Sequence, residues 1–201
     1  MKRPMSQLTT LAITALLLFG SPGPGPMTIV ATSATFGVYK TLSLYAGMLT
    51  GLAISMVASA LGLAALLSAW PGVKLTLQIV GGLYVLYLAY RIATTPLDTN
   101  AAEGARLTMR DGIFLNVLNP KSYAVLLVVY SQFLLPISPA TMAYVATMGV
   151  CLAVAGCTNI FWMCVGGAIR PLVQRPLFSR LLRLAFALLM IGAVFWAFIQ
   201  S

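Results

Sequence analysis

The stretch Gly20-Ser21-Pro22-Gly23-Pro24-Gly25-Pro26 interrupts a run that is otherwise apolar enough to cross a membrane. Proline lacks a backbone donor and its ring clashes with the preceding helical turn, while glycine loses more backbone entropy than any other residue on entering a helix. No α-helix continues unbroken through this segment. The flanks, 8–19 and 27–36, are each shorter than the roughly 20 residues a helix needs to span a bilayer. They read together as one discontinuous transmembrane helix, 8–36. In lipid, unpaired backbone survives only where protein buries it or where it lines a polar cavity. The break therefore marks an expected transport site.

The surrounding composition supports a membrane reading. The 201-residue chain is 60% hydrophobic and 7% charged, with a mean hydropathy of +0.97, which sets it apart from soluble domains. Its net charge of +9 does not point to nucleic acid, because no basic, aromatic-interleaved soluble surface exists to carry that role. Basic residues flanking apolar runs follow the positive-inside rule instead. Cys151, Cys157 and Cys164 share one apolar segment at spacings that make no thiolate cluster, and the chain has no histidine. They read as packing residues, not metal ligands, and no cofactor is expected. Met1-Lys2-Arg3 and the apolar run after it resemble a secretory signal, but a small-residue cleavage site is missing after Phe19. The segment is read as retained.

Working outward, five further apolar segments follow at 41–67, 73–92, 112–135, 140–169 and 181–199, so the expected fold is all-α and integral to the membrane, with six spans. A hydrophilic link, 93–111, holds all the acidic residues of the chain: Asp98, Glu103 and Asp111. Lys40, Arg91, Arg106, Arg110, Arg170, Arg175, Arg180 and Arg183 fall on one face, against Lys2, Arg3 and Lys74 on the other. That asymmetry places the link in the cytoplasm and both termini outside. The link also divides a single transporter domain into halves of three spans each, 1–92 and 112–201. An odd number of crossings gives the halves inverted topology, with a site expected where they meet. Gly47 and Gly51 form a GxxxG pattern, read as helix packing within the chain ahead of a dimer interface; a homo-oligomer stays open. Tyr84, Tyr87, Tyr90 and Arg91 read as interfacial anchors, with Arg91 snorkelling, and Tyr84 alone lies deep enough to be of interest as a site residue.

Asn119-Pro120-Lys121 is a second interruption. Asparagine is a favoured N-cap and proline suits the first helical position, so the tripeptide reads as a helix start inside the membrane. Residues 122–135 alone would reach roughly 21 Å, short of the roughly 30 Å hydrocarbon core. Residues 112–118 must then dip in as well, which makes the fourth helix discontinuous too. Both breaks fall nearer the cytoplasm than the midplane and are able to face one another. Half-helices starting near Pro26 and Pro120 would offer N–H groups and positive dipole ends to a carboxylate, with Lys121 adding charge. The half-helix ending near Gly20 would leave carbonyls free for an ammonium group. Together these describe an amino-acid zwitterion.

The Pro-Gly-Pro at 22–24, Gly37 beyond it, the run from Gly81 to Arg91 and Asn116-Val117-Leu118-Asn119-Pro120-Lys121 together resemble the LysE/RhtB family of amino-acid exporters. The resemblance covers nearly the whole chain. It implies efflux of amino acids or derivatives across a bacterial inner membrane, in exchange for protons. The expected substrate-binding residues are Pro22, Gly23, Pro24, Gly25, Asn116, Asn119, Pro120 and Lys121. Family members often carry a polar residue where this chain has Gly25. Coupling needs a titratable group; Asp111, at the mouth of the fourth segment, is the coupling candidate, with a solvated loop charge or a partner of Arg110 as its plainer reading and Lys121 as another candidate.

Other classes fit less well. An enzyme would need an activated nucleophile with its base, whereas Ser33, Ser55 and Thr158 are expected to hydrogen-bond between helices. A metal-cation exporter of similar architecture would want carboxylates or imidazoles at its site. A scaffold would have no need of two broken helices.

Overall fold

The computed structural model describes residues 4–62, 69–94, 106–173 and four separate positions, Ala185, Leu188, Ile191 and Gly192. Among them there are seven helices and no strand: α1 (Pro4–Gly20), α2 (Pro24–Phe36), α3 (Val38–Ala60), α4 (Pro71–Ala93), α5 (Met109–Val117), α6 (Pro120–Gln132) and α7 (Ala140–Val173). Both expected interruptions are present. The axis turns by 63° between α1 and α2 and by 61° between α5 and α6. Two described helices are long and apolar enough to cross a membrane, α3 and α7, and up to four spans result if each bent pair counts as one. The expected sixth segment, 181–199, lies outside the described residues except at those four positions, all helical. Asp98 and Glu103 of the link, and the basic residues Lys2, Arg3, Arg175, Arg180 and Arg183, are outside them too.

The helices are apolar on more than one side, as helices in a hydrocarbon surround must be. On α3 the buried positions Thr41, Leu44, Met48, Leu52, Ser55 and Ser59 recur at the three-to-four-residue spacing of one helical face. Leu42, Ile54 and Val57 point the other way and are exposed. Gly37 separates α2 from α3 with φ of 91°, a left-handed geometry that a side chain would strain. Its missing side chain also makes room for the Arg170 guanidinium, which lies 2.7 Å from where a Cβ would stand.

The GxxxG pattern joins helices of this one chain. A Cβ on Gly47 would collide with the backbone carbonyl of Met109, and one on Gly51 would lie 2.7 Å from the Ile113 carbonyl oxygen. Glycine there lets α3 lie directly on α5. Of the hydroxyls expected to bridge helices, Ser33 does so, donating to the Met163 carbonyl at 2.7 Å. Ser55 and Thr158 instead bond back to Gly51 and Ala155 on their own helices. That is the ordinary local alternative for a helical hydroxyl.

Two hydrophobic clusters result. One gathers Ile29, Val30, Leu44, Met48, Leu88, Leu115 and Met163; the other gathers Leu11, Leu52, Met56, Val125, Leu126, Cys151 and Ala155. The bent pairs meet along the seam between them. Cys151 packs in the second cluster, while Cys157 and Cys164 are exposed on α7.

Candidate functional site

Helix α1 ends where Pro22 removes the next donor and disfavours helical geometry at Ser21. Its terminal carbonyls are bound by side chains. The Ser21 hydroxyl donates to the Leu18 carbonyl at 2.9 Å, and the Trp162 indole N–H donates to the Gly20 carbonyl at 3.2 Å. Lys121 Nζ donates to the Ser21 carbonyl at 3.1 Å and to Ser21 Oγ at 2.7 Å. The expectation of free carbonyls near Gly20 is therefore corrected. The ammonium group they attract is the chain's own.

Helix α2 begins at Pro24, ahead of the expected start near Pro26, because proline is favoured at the first helical position. Gly23 is its N-cap, in extended backbone and with no side-chain cap. Pro24 and Pro26 carry no N–H, and the Met27 amide donates to the Gly23 carbonyl at 3.0 Å. The amides of Gly23 and Gly25 find no partner among the described residues. This helix start thus offers a few donors at the break, not the full set a helix normally leaves unpaired.

The second break caps itself. Asn119 Oδ1 accepts from the Lys121 amide at 3.1 Å with Pro120 in the first turn, as the sequence led one to expect. Asn116 ties the same turn inward. Its Nδ2 donates to the Met48 carbonyl at 2.8 Å and its Oδ1 accepts from Ser122 at 2.9 Å.

The breaks face one another. Lys121 leaves the start of α6 and reaches the end of α1, and its Nζ lies 3.2 Å from where a Cβ on Gly23 would stand. Between them is a cavity of about 50 Å³, room for a few water-sized groups. Gly23, Pro24, Gly25, Asn116, Asn119 and Lys121 line it, joined by Ser122 and Asn159. Its apolar walls are Met48 and Leu115 from one cluster and Leu52, Val125 and Ala155 from the other. Of the expected site residues, Pro22 and Pro120 do not line it; they shape the two turns.

Asp111 sits apart, at the start of α5. Its Oδ2 accepts from the Thr108 amide at 2.7 Å and the Thr108 hydroxyl at 2.9 Å, closing a capping box. Its Oδ1 accepts from Arg91 at 3.0 Å and from the Tyr84 hydroxyl at 3.1 Å. Arg91 does not snorkel outward. It folds onto Asp111, donates to the Arg106 carbonyl at 3.1 Å and lies over the Tyr87 ring. The cluster fastens α4 to α5, and Tyr84 belongs to it, not to the cavity.

Four polar contributors lay outside the expected set: Ser21, Ser122, Trp162 and Asn159. Ser21 stood inside the quoted stretch but is too small and too common in turns to stand out. Asn159 did carry a signal, since a carboxamide in a long apolar segment is costly without a purpose.

The profile of the "LysE type translocator" family matches residues 16–199. A "Cysteine/O-acetylserine efflux protein" of Escherichia coli O157:H7 is 27% identical over 172 residues, covering 85% of this chain and 87% of the relative. A "Homoserine/homoserine lactone efflux protein" of Salmonella typhimurium is 32% identical over 137 residues, 66% of each chain. No solved structure matches. The chain is a member of the LysE type translocator family.

Proposed function

We propose that this protein is a secondary exporter of amino acids or amino-acid derivatives across the bacterial inner membrane. The observation that carries the reading is the Lys121–Ser21 contact, which joins two broken helices at a polar cavity 100 residues apart in sequence. Lys121 and the amides of Gly23 and Gly25 form a receptor for a carboxylate, combining a cation with donors at a helix start. The efflux activities named for the relatives favour the same substrate class. Among the described residues, those that line the cavity include no carboxylate, imidazole or thiol, a poor donor set for a metal cation.

In this reading the chain is one domain of six spans, with the first and fourth broken and the two halves inverted about the site. The link lies in the cytoplasm and both termini outside. Export is exchanged for protons, and Asp111 is the group we assign to coupling, because its carboxylate fastens α4 to α5. Protonation would weaken its bond to Arg91 and free the start of α5.

The test is transport in proteoliposomes under an imposed proton gradient, with a broad amino-acid panel. Exchange of at least one amino acid above protein-free controls is expected; none across the panel would refute the reading. Asp111→Asn should retain substrate exchange but lose its response to the proton gradient. A variant that responds like the parent removes Asp111 from coupling and leaves it a structural tie.

A further inference from the structure

We propose that Asn159, on α7, is a specificity-determining residue of this site, whose carboxamide reads a neutral hydrogen-bonding group on the side chain of the carried amino acid. The inference rests on the exporter reading and deepens it.

Among the described residues, buried polar side chains are partnered almost without exception, as is general. Thr28, Thr32, Ser33, Thr41, Asn116, Ser122 and Thr147 each make a hydrogen bond. Asn159 is as buried, at 7% exposure, yet its carboxamide makes none with a described residue. Ser59 is similar, but its hydroxyl is sealed from any cavity. Asn159 instead lines the cavity between the breaks.

Its placement is not accidental to a loose helix. One turn on, Trp162 is bonded to the Gly20 carbonyl, and Met163 accepts from Ser33 on α2. Beyond them Gly166 lies against the backbone of Val30, where a Cβ would collide. Rotating Asn159 away from the cavity would break these ties. A polar group so fixed on a packed helix is the kind of element that sets specificity.

The other lining groups define what is left for it to do. Both ends of the Asn116 amide are used, and Asn119 Oδ1 caps α6. Lys121 and the Gly23 and Gly25 amides suit the carboxylate. Asn159 retains both donor and acceptor capacity, which fits a hydroxyl, a thiol or an ester carbonyl. The described lining residues include no acid, so a cationic side chain would enter without a counter-charge from them. The substrate class is a small amino acid, or derivative, with a neutral polar side chain.

The test compares three ligands of similar size in proteoliposomes of the full chain: homoserine, 2-aminobutyrate and 2,4-diaminobutyrate. The wild type should favour homoserine over both. Asn159→Leu should lower homoserine transport by about tenfold, the loss of roughly one hydrogen bond, with 2-aminobutyrate changed by less than about twofold. Asn159→Asp supplies the missing counter-charge and should raise diaminobutyrate relative to homoserine. Equal losses for homoserine and 2-aminobutyrate in Asn159→Leu, at matched amounts of folded protein by size-exclusion chromatography, would overturn the proposal. Should the leucine variant not fold, an unchanged diaminobutyrate ratio in Asn159→Asp overturns it alone. A wild type that carries amino acids without discriminating among the three defeats the inference and leaves the exporter reading intact. A wild type that carries no amino acid defeats the exporter reading itself.

Discussion

The two breaks turn the chain by nearly the same angle, 63° and 61°, yet their backbone ends are satisfied by opposite means. The second is local: Asn119 caps the helix that follows it, within its own turn. The first has no side-chain cap at Gly23 and, beyond the local bond from Ser21 to the Leu18 carbonyl, draws its partners from far along the chain, Lys121 and Trp162. A self-capped break is a stable piece of architecture. One held by distant groups depends on how the helices are packed, and so can respond when that packing or a ligand changes. On the exporter reading proposed above, we infer that the first break is the responsive side of the site and the second the arm that reaches it.

The comparison is broken most directly by Lys121→Ala. It removes the cation from the first break and leaves the Asn119 cap untouched. Charged hydrogen bonds contribute about 1.5–3 kcal/mol, so transport should fall by roughly 10- to 100-fold. Membrane insertion, followed by immunoblot of washed membranes, should be unchanged. Unaltered transport would leave Lys121 a structural tie between the two breaks.

Gly23→Val probes the same contact from the other side. The extended backbone at Gly23 accommodates any residue before a proline, so the effect isolates the crowding of Lys121 Nζ, 3.2 Å from the new Cβ. A loss of about tenfold is expected, on the scale of one charged hydrogen bond. Substrate titration locates it, since displaced Lys121 should raise the half-saturating concentration more than it lowers the maximal rate.

Asn119→Ala should cost about 1 kcal/mol of stability through the lost cap, read as a lower melting temperature in detergent. Asn119→Asp should restore it. Ser21→Ala is the mildest change, because the Ser21 carbonyl still accepts from Lys121. A decrease of about two- to threefold in transport fits the loss of one hydrogen bond. A larger loss than that of Lys121→Ala would show that Ser21 acts independently of the lysine.

The positions of both breaks were readable because proline and glycine act on the backbone locally, whatever surrounds them. The same holds for the Asn119 cap, for the packing of Gly47 and Gly51, and for a helix in each apolar run that the structure describes. The start of α2 at Pro24 was misplaced because three alternating prolines each suit a first helical position, and only packing against Lys121 and Met48 chooses among them. The partner of Asp111 was not readable either. Arg110 is adjacent in sequence, but the side chain that reaches the carboxylate is Arg91 from another helix.

The sequence by itself determined where helices must stop, which residues can start them again, and that a lysine stands beside the second start. These are consequences of backbone chemistry over a few residues. Only the tertiary structure decided that Lys121 spans to Ser21, that Trp162 covers the Gly20 carbonyl, and that Asn159 reaches the cavity with no hydrogen-bond partner among the described residues. Each of those depends on the rotation and approach of helices remote in sequence, which is settled by close packing of many side chains at once. The quoted stretch at 20–26 thus announced a break, and the helices around it decided what the break holds.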